Sequence, residues 1–474
     1  MTCPGCGTTN AVAAVACSGC GRPLPTRPSH APDPDSQEWA ARGIGRYLAG
    51  ALILAVSPAF GIDRAPPAKK AETRRPILVT VDDLPIASGR LHVDPAERER
   101  ITRDLLAALD RHHVKAVGLV IWGAVGEGKA GPGLLDLWLK RGHELGNHSF
   151  GHLDYSATDE AVFLADVERG RRGLADFPGT RGASPRFFRF PFLDEGETGG
   201  KLDAMRRYLR SSGQRNLPVT IDTQDWSFEE PWVAARRAGD PGARAEVAAD
   251  YLAALRLEVR SHERRGDRLT GRLTPQIILL HANEVGAALW DDLFDWLEKT
   301  GHRFATADEV LADPAFSEEP RFIARQGCGL WDRLEHEGSE RAARREIEDL
   351  LAHQAAAWNR GDIEAFCSVY ADDATFLSPT GVTNGRQAVI DRYRSRYPDQ
   401  AAMGRLSLEI LEARPTWGME TDLMQNAVPG SVQGMTVAAR WTLTYSGKAP
   451  ATGLTLLVLR PLRGGWAIVQ DASM

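Results

Sequence analysis

An α/β architecture built around a distorted β/α barrel is expected for this 474-residue chain on three grounds. Short apolar runs without alternation recur between residues 76 and 315 with amphipathic stretches between them, as suits parallel strands buried on both faces. A polar cluster closes or follows each of five runs: Asp82-Asp83, Asn147-His148-Ser149-Phe150-Gly151-His152, Arg189-Phe190-Pro191-Phe192, Asp222-Thr223-Gln224-Asp225-Trp226, and His281. Barrel active sites gather chemistry in this way, at the C-terminal ends of successive strands. Beyond residue 340 the order changes to helices followed by strands at hairpin spacing, the mark of a separate α+β domain.

The bulk numbers agree. At 43% hydrophobic and 25% charged residues the chain is globular, and its length asks for more than one core. A net charge of −6 gives no basic face for nucleic acid, so partners must be sought in sites.

Four of the six cysteines, Cys3, Cys6, Cys17 and Cys20, form C-x2-C-x10-C-x2-C. Two such knuckles can close four thiolates around one structural Zn²⁺; a disulfide pair or a redox Cys-x-x-Cys is the alternative. Residues 1–24 resemble the zinc ribbon that begins many bacterial membrane proteins. Cys328 and Cys367 are expected to be buried thiols. A linker, 25–43, leads to an uncharged run in 44–62, YLAGALILAVSPAFGI, which is short of the roughly 20 residues of a full span. An uncleaved anchor, a signal peptide and a buried helix all fit. Membrane anchoring or export is the expectation, with the reduced ribbon inside the cell and the barrel outside.

Within the barrel, Val114–Trp122, Glu144–Asn147, Arg186–Phe190, Leu217–Ile221 and Gln276–Leu280 read as strands, and Gly133–Arg141 as a helix. The stretch from Phe228 to Arg268, helical over Ala245–Glu263, is long enough for a lid or wall.

His148 and His152 are four apart, so a helical turn would put both imidazoles on one face. One carboxylate added to them makes a three-ligand metal set with an open position. Side chains alternate along a strand, so of Asp82 and Asp83 one can ligate while the other addresses a bound water. Asp222 is expected to cap a turn. His112, His113, His143 and His302 are expected at the surface or at strand edges. Trp122, Trp232 and Trp290 suit either a core or a sugar platform.

These clusters resemble the NodB-type polysaccharide deacetylases, carbohydrate esterase family four, over 76–315. The resemblance implies Asp82 as general base and Asp83, His148 and His152 as metal ligands. It implies Arg189 as the residue positioning the base, the Phe192 backbone N–H as an oxyanion donor, and His281 as the acid oriented by Asp225, with Trp226 in the pocket wall. It further implies a divalent cation, Zn²⁺ foremost with Co²⁺ or Mn²⁺ also able to accept such ligands, and an acetylated polysaccharide substrate. A deacylase for a non-glycan amide or ester and a non-catalytic glycan-binding protein are the alternatives. Leu84 and Leu193 stand where the family commonly has glycine, and a reshaped groove is expected there.

After a linker expected at 316–339, a helix is expected over Glu340–Trp358, another N-capped by Asp362, a third over Arg386–Tyr397, and strands at Leu406–Leu411, Met435–Tyr445, Leu454–Leu459 and Trp466–Val469. The run AWNRGDIEAF…YADDATFLSPTG…GRQAVIDRY resembles the cone-shaped ketosteroid isomerase-like (SnoaL-like) superfamily, placing a cone domain at 340–474. Its usual closing histidine-aspartate element is Gln470-Asp471 here, and Asp372 and Asp373 are expected in a turn. The domain is expected to be a ligand pocket or a homodimerising module.

Overall fold

The computed structural model describes residues 74–126, 130–324, 327–421 and 427–474. The expected zinc ribbon, linker 25–43 and apolar segment 44–62 lie outside these residues. Among the described residues no helix is long and apolar enough to cross a membrane.

Eight strands make one parallel sheet: β1 (Arg75–Leu84), β2 (Val117–Val120), β3 (Glu144–Asn147), β4 (Phe187–Phe188), β5 (Arg215–Asn216), β6 (Ile221–Asp222), β7 (Gln276–His281) and β8 (His302–Phe304). The order is β5-β4-β3-β2-β1-β7-β6, with β8 paired to the start of β1. Strand β1 is central because Ile77, Leu78, Val79 and Val81 are wholly buried, the continuous burial of a strand covered on both faces. The sheet is a half-barrel, open between β5 and β6 among the described residues.

The expected single strand Leu217–Ile221 is split at that seam. Leu217 N–H donates to Phe188 O at 2.7 Å on one side, and Thr220 N–H to Ile277 O at 3.0 Å on the other. Pro218 between them has no N–H to continue a ladder.

Around the sheet, Asp94 caps the helix Pro95–Arg111, which packs with the helix Glu284–Lys299. Their Leu105, Leu109, Leu293 and Phe294 join one core with β1 and β7. The expected lid is a crossover instead. It forms the helices Glu229–Arg237 and Pro241–Thr270. Tyr251, Leu255 and Val259 of the second are buried in the same core, as the connection between parallel strands requires. Trp232 and Trp290 are core residues, and Trp122 packs against the same core, edge-on to Phe177.

The second sheet has six strands: β9 (Tyr370–Ser378), β10 (Gly381–Asn384), β11 (Arg405–Thr421), β12 (Ala427–Tyr445), β13 (Lys448–Leu462) and β14 (Gly465–Ser473). Its order is β10-β9-β14-β13-β12-β11, antiparallel except for β9 against β14. Asp372 and Asp373 lie in β9, not in a turn. Both are exposed, and Asp372 pairs with Arg386 at 3.0 Å. Asp362 caps the next helix as expected, accepting from Ala365 N–H at 2.9 Å.

The helix expected from Glu340 begins at Leu330 and runs to Asn359. Its first turn buries Leu330 and Trp331 against Leu78 and Ile277 of the half-barrel. Its later turns bury Ile347, Leu351 and Trp358 in the core of the cone. The charged run from Asp332 to Arg345 hides this continuity in the sequence, and part of the expected linker 316–339 is therefore helix. Cys328 and Cys367 are buried free thiols.

Candidate active site

Asp82 and Asp83 end β1, His148 follows β3, Arg189 follows β4, Asp225 follows β6 and His281 ends β7. The parallel register places Asp82 beside His281, and all five polar clusters converge at one end of the sheet.

Asp83 departs from strand alternation. Its φ of 62° lies in the left-handed region, and the β1–β2 register shifts between Val81 and Leu84. This local kink turns both carboxylates toward His148. His148 Nε2 lies 3.7 Å from Asp82 Oδ2 and 3.6 Å from Asp83 Oδ1. His152 Nε2 lies 3.4 Å from the same Asp83 oxygen.

The two histidines share no helical turn. They flank a loop in which Ser149 and His152 have φ of 68° and 53°. Asn147 pins that loop: its Nδ2 donates to Val167 O and its Oδ1 accepts from Ser149 N–H, both at 3.0 Å. Asp166 accepts the Phe150 and Gly151 N–H groups. Gly170 permits the close approach, since a Cβ there would sit 2.5 Å from Asn147 Oδ1.

One ligand atom from each of Asp83, His148 and His152 lies within 4.8 Å of the others. Donors about 2.1 Å from a tetrahedral ion stand roughly 3.4 Å apart, close to the separations from Asp83 Oδ1. That oxygen is buried without a hydrogen-bond donor. His148 Nδ1 donates to Arg189 O at 2.9 Å, which leaves Nε2 with its lone pair toward the cluster. Burial holds both imidazoles below their ordinary pKa, in the neutral form that ligates. The residues fit a divalent cation. A second group, His92, Glu97 and Glu284, does not. Arg100 and Arg236 already bind Glu284 at 2.6 and 2.8 Å, so it is an ion-pair network.

Asp82 is almost fully buried, and Arg189 Nη1 donates to its Oδ1 at 2.7 Å. Burial pushes Asp82 up to about 6 against the pull of Arg189 and His281. Arg189 is itself held by Thr80 Oγ1 at 2.7 Å and Leu217 O at 3.2 Å. On the other side, His281 Nδ1 donates to Asp225 Oδ1 at 2.6 Å. Burial disfavours the imidazolium, but Asp225 outweighs it and His281 rises to about 10. Asn283 Nδ2 steadies Asp225 at 3.2 Å. Phe192 caps the site, its ring edge-on to His152 with centroids 4.5 Å apart. Trp226 is 52% exposed beside Asp225. Asp222 accepts from Gln224 N–H at 3.1 Å, a turn cap as expected.

Residues 69–215 match the family model described as polysaccharide deacetylase. The chain carries a polysaccharide deacetylase domain. Residues 351–463 match a SnoaL-like domain. The peptidoglycan-N-acetylglucosamine deacetylase PgdA of Listeria monocytogenes is 22% identical over 251 residues, 53% of this chain and 42% of that protein. The chain thus spans less than half the length of the curated relatives it matches. A CE4 family pseudoenzyme from Bacillus anthracis is 17% identical over 51% of this chain and 66% of that one, with a TM-score of 0.36. An NTF-2 like protein of unknown function from Shewanella oneidensis is 28% identical over 27% of this chain and 97% of its own, with a TM-score of 0.23.

Neither departure from the deacetylase pattern is part of the Asp83–His148–His152 cluster. Leu84 is wholly buried in the main core, over Gly118, where a Cβ would meet it at 2.2 Å. Leu193 lines a cavity of about 470 Å³ at the β5–β6 seam, behind Arg189.

The SnoaL-like domain encloses another cavity of about 470 Å³, lined by Trp358, Tyr393 and Trp441 among others. Asp471 sits in it, buried, accepting from Tyr370 Oη at 2.6 Å, Thr455 Oγ1 at 2.6 Å and Ser473 Oγ at 2.7 Å. Nothing in the sequence marks Tyr370, Thr455 and Ser473, three hydroxyls from separate strands, as neighbours.

Proposed function

We propose that the deacetylase domain is a metal-dependent hydrolase that removes acetyl groups from an amino-sugar polysaccharide of the cell envelope. The observation that carries it is the joining of three parts at one sheet end: the Asp83–His148–His152 ligand set, the arginine-held Asp82 and the aspartate-held His281. The relative named for peptidoglycan N-acetylglucosamine puts that polymer first among substrates to try. Acting on it requires the domain outside the cytoplasm.

An acetamide is a poor electrophile with a poor leaving group. A divalent cation on Asp83, His148 and His152 would supply a Lewis acid for the carbonyl and lower the pKa of a water beside it. Asp82 accepts the proton of the attacking water while Arg189 keeps its other oxygen in place. The water oxygen bonds to the acetyl carbon, and the Phe192 N–H stabilises the oxyanion, a contact of a kind worth about 3 kcal/mol. His281 gives its Nε2 proton to the amine nitrogen as the C–N bond breaks, releasing acetate and the free amino sugar. Base and acid are kept apart by their environments, one carboxyl beside an arginine and one imidazole beside a carboxylate.

The test is acetate release from N-acetylated glycans, peptidoglycan first, and from simple acetyl esters, with and without chelator. Chelator-sensitive release from glycans is expected. Release from esters alone moves the substrate to a non-glycan acyl group. Tight glycan binding without turnover in metal-loaded protein overturns the catalytic reading.

The SnoaL-like domain we read as a ligand pocket. Asp471 takes the hydrogens of the three hydroxyls, so these present lone pairs to the cavity and ask for a ligand hydroxyl or amine. Arg392, near Ser378 and Thr380 on the cavity wall, suits an anionic end. An apolar hydroxy-acid is the class that meets both.

A further inference from the structure

We infer that Arg333, outside the family match, is a positioning residue for the loop that carries the oxyanion donor Phe192; this rests on the deacetylase reading. Phe192 and Leu193 have φ of 57° and 54°, two successive left-handed residues, neither a glycine. Such backbone holds only where its surroundings over-determine it. Three successive peptide planes are fixed here. Asp194 N–H donates to Pro191 O at 3.0 Å, which sets the plane bearing the Phe192 N–H. Leu193 N–H donates to Phe190 O at 3.2 Å, and Gly327 N–H to Phe192 O at 3.0 Å, which set the second. Arg333 Nη2 donates to Leu193 O at 2.9 Å and sets the third, the plane whose N–H is Asp194's. Arg333 therefore acts on the Phe192 N–H through two links.

Arg333 is built for holding backbone. It is 2% exposed. Its Nε donates to Cys328 O at 3.1 Å and its Nη1 to Phe322 O at 3.0 Å, and Glu195 balances its charge at 3.6 Å. A guanidinium can reach three carbonyls in fixed directions, whereas an ammonium is a single mobile point. The far end of the loop has its own anchor: Asp194 accepts from Ser156 N–H at 2.6 Å, Ser156 Oγ at 2.7 Å and Gly196 N–H at 2.9 Å. Arg333 lies on the helix Leu330–Asn359, which is buried in both cores. The C-terminal region thus completes a site whose recognisable motifs end by residue 281.

The test uses the full chain with metal loaded, comparing Arg333→Lys, Arg333→Ala and the milder Gly327→Ala with wild type. A displaced donor costs rate while leaving ground-state binding alone, so kcat per folded, metal-loaded molecule is expected to fall about 10- to 100-fold in Arg333→Lys. KM, metal content and both limbs of the pH profile are expected to stay put. Methylguanidine is expected to restore kcat in Arg333→Ala, and Gly327→Ala to show the same pattern more weakly. Hydrogen exchange is expected to quicken at residues 192–194 in each variant. Variants that lose thermal stability but keep wild-type kcat and loop exchange overturn the inference, leaving Arg333 a staple between domains. If wild type deacetylates nothing, the deacetylase reading fails, and the exchange measurement still decides whether Arg333 holds the loop.

Discussion

Asp225 grips His281 at two points: its Oδ1 accepts from Nδ1 at 2.6 Å and its Oδ2 from the His281 backbone N–H at 2.9 Å. The first contact fixes the proton on Nδ1 and leaves Nε2 facing the site. The second ties the carboxylate to the end of β7, so ring and strand move together.

Replacing Asp225 with Asn keeps the shape and removes the charge. Burial then lowers the His281 pKa from the present value of about 10, opposed only by the smaller pulls of Asp83 and Asp82. The acid must be protonated to work, so the basic limb of the kcat profile is expected to move to lower pH. The maximal rate is expected to fall by about 10²-fold or more. A kcat series across pH checks both, and an unmoved basic limb removes His281 from the acid role. The pair also links stability to pH. The folded His281 pKa lies above its unfolded value, so this stabilisation is complete below about 6.5 and is lost as pH rises through about 10.

As the proposed base, Asp82 must be ionised. Burial raises its carboxyl to about 6, with Arg189 holding it down from higher values. Activity is expected to fall as pH drops through about 6, or lower with a cation on Asp83, because a nearby positive charge favours the carboxylate. Arg189→Met removes the opposing charge and is expected to move this acidic limb upward. Asp82→Asn is expected to cost about 10²- to 10⁴-fold in kcat with metal content unchanged. Retained turnover in Asp82→Asn would rule out this base.

Metal analysis of purified variants separates ligands from neighbours. His148→Ala and Asp83→Ala are expected to lose the barrel metal, and His281→Ala to keep it, since His281 lies outside the ligand set. Full metal content in His148→Ala refutes its assignment.

How much of this site is legible in sequence depends on which force sets each residue. The order Asp82, His148, Arg189, Asp225, His281 is readable because strand ends project chemistry whatever the loops do. The path by which residues reach the site is less so. Spacing suggests a helical turn for His148 and His152, but the loop is set by Asn147 at the end of β3 and by Asp166 and Gly170 of the helix Glu160–Ala175. Alternation suggests opposite faces for Asp82 and Asp83, but the positive φ at Asp83 goes with the kink in β1. Arg333 and Asn283 are unmarked, because their value lies in contacts between segments distant in the chain. In the cone, β9 is hidden because Asp372 and Asp373 look like turn residues; both are exposed where the β9–β14 register shifts.

The cone cavity contains Trp358 and Trp441, which makes binding visible by intrinsic fluorescence. A hydroxynaphthoate is expected to bind more tightly than the naphthoate lacking the hydroxyl or the naphthol lacking the acid. Arg392→Leu is expected to remove the preference for the acid, and Tyr370→Phe to weaken the preference for the hydroxyl, each by about tenfold, the scale of one hydrogen bond to a charged or polar partner. Equal binding of all probes denies the cavity this selectivity.

Leu193 gives the most unusual expectation. Truncating a buried leucine ordinarily costs about 2–5 kcal/mol. Leu193, however, is half-buried beside an existing cavity at the β5–β6 seam, so its removal forfeits less packing. It also holds φ at 54°, a conformation that costs an L-residue about 1–2 kcal/mol and costs glycine nothing. Glycine's greater freedom in the unfolded chain returns about 0.5–1 kcal/mol of that gain. Leu193→Gly is therefore expected to leave stability within about 1 kcal/mol of wild type in urea unfolding. A loss of more than about 3 kcal/mol would mean that the leucine side chain, and not the backbone bonds to Arg333 and Gly327, holds the loop in place.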